Sequence, residues 1–179
     1  MVRFQGSTHL VILTDRNPEQ AMGTLERIIT LLGLELNHEK TGMATAREGF
    51  DFLGFHFVRK TSRVTGKETT YLYPSRKSVR HFRDNVSMIT KRGVAFHKPM
   101  GTAVSQTNSI IRGWHNYYRH TNASTIFRSL QKYVEWKLVK YYCFIHKIGR
   151  VSARKGIYDR VRDYGLADIR GRIEYSRNA

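Results

Sequence analysis

The chain has 179 residues, 40% of them hydrophobic, with 31 Lys/Arg against 14 Asp/Glu and a formal net charge of +17. This length and composition fit one or two small domains with a real core, and exclude a disordered tail. One cysteine, Cys143, excludes an internal disulfide and a Cys-rich zinc site and suits a reducing interior; no apolar run is long enough to span a bilayer, and the first residues lack a signal-peptide pattern.

In chain order, Leu10–Leu13 is a short apolar run that predicts a buried strand. Asp15 or Asn17 can cap the next helix, and Pro18 suits its first turn. Ala21, Met22, Leu25, Ile28, Ile29 and Leu32 follow helical spacing, with Gly33 as the stop. Leu34–Leu36 is expected to return to the sheet. Phe50–Phe57, FDFLGFHF, is an aromatic strand in which Gly54 marks a bulge or a close approach to another backbone. Thr65-Gly66 is a turn, and Thr69–Tyr73 the second arm of a hairpin.

From there the pattern is helical. Ser75 caps a helix with an apolar stripe of Val79, Phe82, Val86 and Ile89, while Arg76, Arg80 and Arg83 share another face. A second helix runs from about Thr102 to Tyr118, with Val104, Thr107, Ile111, Trp114 and Tyr118 on one side. A third runs from about Ser124 to Ile148, with Phe127, Leu130, Val134, Leu138, Tyr141, Ile145 and Ile148 inward. A last short pattern covers Ile157–Tyr164. The prediction is an α+β chain: a partial sheet with one helix and a hairpin over 1–73, a three-helix bundle over 74–148, and a basic tail over 149–179.

The charge is uneven. Residues 1–58 hold five Lys/Arg and seven Asp/Glu; residues 59–179 hold 26 and seven. A field this positive on the helical half attracts polyanions, nucleic acid first among them. Lys132, Trp136 and Lys140 place an aromatic between two cations at i, i+4 spacing, so lysines can meet phosphates and the indole a base. Arg112, Trp114, Tyr117, Tyr118 and Arg119 alternate cation and aromatic at a helix end; Trp114 reads first as core, Arg112 and Arg119 as phosphate contacts. Arg76, Lys77, Arg80, Arg83, Lys91, Arg92 and Lys147 complete the candidate RNA-binding set. The eight histidines are scattered, without a metal-binding pattern, and no catalytic acid–base pair, nucleophile elbow or Walker loop stands out. No catalytic or metal-binding residue is assigned.

ILTDRNPEQA, LGLELNHEKT, GFDFLGFHF and IRGWHNYYRH, in that order, resemble the C-terminal portion of group II intron reverse transcriptases, also called maturases. The resemblance covers nearly the whole chain and implies the end of a palm followed by a thumb, or domain X. By resemblance, Phe52, Leu53, Gly54 and Phe55 match the primer-grip hairpin, and Asn37 and Lys40 the palm stretch near the incoming nucleotide. In that family the strand matching Leu10–Leu13 is entered through a Tyr-Ala-Asp-Asp turn whose aspartates hold catalytic Mg²⁺. Here that stretch reads Gly6-Ser7-Thr8-His9, which offers no carboxylate to a hard cation. The fingers and most of the palm are also missing from the match, and no endonuclease region is recognisable. The resemblance therefore implies a truncated maturase-type protein that binds structured RNA, group II intron RNA above all, and assists splicing, without polymerising alone and without a cofactor of its own. The alternatives are the C-terminal half of a split RNA-directed DNA polymerase, completed by a separate N-terminal half, and a non-functional intron-ORF remnant. Exposed sheet surface would favour that partner or self-association; no membrane partner is expected. A prokaryotic cytoplasm is the expected location, an organelle the alternative.

Overall fold

A computed structural model of the chain describes residues 10–15, 17–38, 41–91, 93, 98–148 and 154–170, with 154 and 155 as backbone alone. Among them are one three-stranded antiparallel sheet and five α-helices, an α+β arrangement as the sequence predicts. Gly6–His9, Lys40 and Arg92 lie outside the described residues.

Helix α1 spans Pro18–Leu31. Asn17 caps it, its side chain accepting from the Gln20 N–H at 3.0 Å, with Pro18 in the first turn. No residue of α1 is buried. The expected strands at Leu10–Leu13 and Leu34–Leu36 do not form, and Leu13 is 82% exposed. The reason is physical. An apolar run becomes a strand only beside a neighbour that takes up its backbone hydrogen bonds, and no strand of the sheet pairs with either run.

The sheet has the order β1 (Phe50–Phe52), β2 (Phe55–Thr61), β3 (Glu68–Pro74). The single predicted strand over Phe50–Phe57 is thus two strands. Phe52 pairs with Phe55, and Leu53 and Gly54 between them have φ of 46° and 84°. Two positive φ values in a two-residue loop make a type I′ turn, whose twist matches that of the flanking strands. Gly54 is therefore a turn residue and not a bulge. Residues 62–67 join β2 to β3 as expected, with Ser62 N–H donating to Lys67 O at 2.8 Å.

Helix α2 spans Arg76–Ile89, α3 Met100–Tyr118, α4 Ser124–Ile145 and α5 Arg154–Asp163. Ser75 caps α2, its Oγ accepting from the Ser78 N–H at 3.2 Å. The 3.6-residue stripes converge on one core. Phe82 and Val86 come from α2, Val104, Ile111 and Tyr118 from α3, and Phe127, Leu130, Val134, Leu138 and Tyr141 from α4. Burying each large apolar side chain contributes about 1.5–3 kcal/mol relative to leaving it exposed.

The segment expected as part of a basic tail joins the same core through Ile157, Val161 and Ile169. Two polar side chains in the bundle hold its backbone. Asn108 donates to Gly165 O and accepts from the Ala167 N–H, both at 2.8 Å, and Gln131 accepts from the Ile169 N–H at 2.9 Å. His115 Nδ1 meets Ile169 O at 2.9 Å; a carbonyl only accepts, so Nδ1 carries the hydrogen. Asn108→Leu strands a backbone donor and acceptor beneath this segment. It should lower unfolding free energy by about 2 kcal/mol, read as a reduced urea midpoint. An unchanged midpoint would show that the segment does not depend on this side chain.

Candidate nucleic-acid interface

The hairpin and the bundle are joined at the β1–β2 turn. Gly54 O accepts from the Ser75 N–H at 2.8 Å, the Ser78 hydroxyl at 3.1 Å and the Tyr118 hydroxyl at 3.1 Å. Leu53 O accepts from Tyr117 Oη at 2.9 Å, and the Tyr117 ring stacks on Phe55 with centroids 4.9 Å apart. A Cβ on Gly54 would lie 2.8 Å from Tyr118 Oη and 3.0 Å from Ser78 Oγ. Burial pushes the Tyr118 phenol above its ordinary pKa, against a smaller opposing hydrogen bond with Ser78, so it stays protonated and donates at neutral pH. On the far edge, Asn122 accepts from the Leu72 N–H at 3.0 Å and donates its own N–H to Leu72 O at 2.8 Å. The glycine expected to admit a foreign backbone is thus closely covered by this chain's own helices, while Leu53 remains 55% exposed at the turn and Phe52 and Phe55 are half-buried.

Helices α2 and α4 run side by side in the same direction. Arg83 donates to Ser129 Oγ at 3.3 Å, and further along both helices Lys137 donates to Ser87 Oγ at 2.7 Å. Between them lies an open groove of about 550 Å³, lined by Pro74, Arg76, Val79, Arg80, Arg83 and Asp84 on one side and Ile126 and Tyr133 on the other. The Arg83 guanidinium sits 5.6 Å from the Tyr133 ring centroid, and Tyr133 Oη donates to Arg83 O at 3.2 Å. Arg76, Arg80 and Arg83 are exposed, and none is in an ion pair among the described residues. Arg76 and Lys77 also occupy the first turn of α2, which holds no acidic residue. The positive end of a helix dipole disfavours cations there, so stability alone does not explain their placement.

Residues 79–162 match the family model described as the group II intron, maturase-specific domain. The helical part of this chain is similar to that maturase-specific domain, which supports a group II intron maturase-related role. The match begins one turn into α2 and ends in the last turn of α5. No curated protein matches the chain.

The predicted residues fall into separate places. Lys132, Trp136 and Lys140 are exposed on α4, with the Lys140 ammonium 3.8 Å from the Trp136 ring centroid. Arg112 and Arg119 are exposed on and just after α3, which contributes no residue to the groove. Lys77, Lys91 and Lys147 are exposed near helix ends. One predicted RNA contact, Tyr118, needs correction, and Trp114 takes the core position expected of it first. Tyr118 is 4% exposed, holding the hairpin turn, and Trp114 packs on Phe82, Tyr118 and Phe127 with centroids 4.4–5.4 Å away. Both lie on the inward stripe of α3, where a large aromatic is stabilised by burial. Tyr117 is 53% exposed, but its hydroxyl is engaged by Leu53. Asn37 is exposed beyond α1, its carbonyl accepting from Thr41 Oγ1.

Sequence reasoning missed Tyr133 and Lys137. Tyr133 stands three residues before Trp136, one helical turn away, and that spacing was the available signal. Among the described residues no group of three or more His, Cys, Asp or Glu gathers closely enough to hold a metal ion, and no helix is long and apolar enough to cross a membrane.

Proposed function

We propose that this chain binds structured RNA, group II intron RNA in particular, through the face between α2 and α4, and that it assists splicing rather than copying RNA. The observation that carries this reading is the groove lined by Arg76, Arg80 and Arg83, none of them in an ion pair among the described residues, with the Arg83 guanidinium beside the Tyr133 ring. Guanidiniums held open in this way suit phosphate oxygens, and the maturase-specific match supports an intron as their source. The reading includes no metal cofactor, because Gly6-Ser7-Thr8-His9 supplies no carboxylate.

The test is binding of the purified chain to a group II intron RNA and to an unrelated RNA of equal length, across a salt series. Log affinity is expected to fall linearly with log salt for both RNAs, with the intron RNA retained at moderate salt. Equal affinities that collapse together would reject intron recognition.

A second reading rests on exposed apolar side chains. Leu13, Leu31 and Leu32 are 82%, 85% and 67% exposed around α1, which buries nothing. Such surface favours a partner, either an N-terminal reverse-transcriptase half or a second copy. In that reading the chain is the C-terminal half of a split polymerase.

A further inference from the structure

We propose that Tyr133 and Trp136 form a stacking platform for an unpaired base of the bound RNA, placed at the end of the arginine groove. The inference rests on the RNA-binding reading and narrows it to an unpaired base within that RNA. Trp136 is 43% exposed and does not belong to the set of side chains packed on the buried core. A tryptophan in that position leaves much of its ring to solvent and is a weaker helix former than Lys, Glu or Leu, so helix stability does not favour it there. Its described ring neighbours form a short series along α4. Tyr133 lies 6.0 Å away by centroids, Lys137 is 5.7 Å from both rings, and Lys140 is 3.8 Å from the indole.

Tyr133 connects this series to the groove, since it lines the groove and faces the Arg83 guanidinium. Its hydroxyl is held by Arg83 O, which fixes the ring before any ligand arrives and reduces the ordering cost of binding. Cations beside the rings can neutralise the phosphates that flank a stacked base. Paired bases in a duplex already have both faces covered by their neighbours, so an exposed indole beside the half-buried Tyr133 ring discriminates for a strand whose bases are unstacked. Lys140, exposed over the indole, is readily displaced because a flexible ammonium regains water when it leaves, while Lys137 stays held by Ser87 Oγ.

The test compares an oligouridylate with a blunt RNA duplex of equal phosphate count, using the full chain and the variants Trp136→Ala and Trp136→Phe. Thermal unfolding of each variant checks the fold, which an exposed side chain should leave intact. Trp136→Ala is expected to weaken oligouridylate binding roughly tenfold and duplex binding less than about twofold, with Trp136→Phe recovering most of the loss. Equal weakening of both ligands, or an unchanged affinity for oligouridylate, would overturn the platform while leaving RNA binding standing. A wild-type chain that binds neither RNA at low salt would overturn the RNA-binding reading and the platform with it.

Discussion

Gly54→Ala should destabilise the protein by about 3 kcal/mol, whereas Gly66→Ala should cost only about 1 kcal/mol. Both glycines have positive φ, 84° and 68°, so both substitutions meet the same left-handed penalty. They differ in surroundings. A Cβ at Gly66 meets nothing within 4 Å, while one at Gly54 lies 2.8 Å from Tyr118 Oη and 3.0 Å from Ser78 Oγ. Tyr118 cannot simply move away, because its ring is buried against Trp114 and Phe55. The added methyl therefore displaces the two hydroxyls from Gly54 O, and the hairpin loses part of its attachment to the bundle. Each lost hydrogen bond to a half-buried carbonyl adds roughly 1 kcal/mol. Chemical unfolding of both variants measures the difference. Equal losses would mean that the turn's backbone strain, and not the approach of α3, accounts for the glycine.

The same turn shows what the sequence could and could not disclose. Gly54 was legible as a close-approach glycine, but not which backbone or side chain approached it. Here the approach comes from Ser78 and Tyr118, 24 and 64 residues away. The stripes of α2, α3 and α4 were legible because burial on one side of a helix leaves a 3.6-residue mark in composition. Ser75 was legible because capping is local chemistry. Leu10–Leu13 was misread because the same apolar run suits a strand only when a neighbouring strand exists. Tyr118 entered both the stripe and the RNA set, since alternating cations and aromatics do not say which ring faces inward. Asn108 and Gln131 gave no signal at all. A polar side chain that serves the backbone of a distant segment has no periodicity, and its partners are 38 to 59 residues further on. The groove was half legible: its arginines share one face of α2, but Tyr133 reaches them only because two helices lie side by side.

Replacing Arg76, Arg80 and Arg83 together with glutamine should reduce RNA affinity on the order of a hundredfold at low salt, and leave the protein as stable as before or slightly more so. The two halves of this expectation have different causes. Three guanidiniums that neutralise three phosphates release about that many counterions, so the slope of log affinity against log salt should become shallower by roughly 2 to 3. Glutamine retains much of the apolar stem along the groove, which separates loss of charge from loss of packing. On the stability side, none of the three arginines forms an ion pair among the described residues, and Arg83 gives up only a 3.3 Å hydrogen bond to Ser129 and its position over Tyr133. Against that small loss stand two gains. Arg76 no longer opposes the helix dipole in the first turn of α2, and the i, i+4 repulsion between Arg76 and Arg80 disappears. A lower unfolding midpoint together with reduced binding would assign these residues to the fold. Reduced binding with an equal or higher midpoint would mean that α2 carries cations which its own stability disfavours, and that binding is the reason they are there.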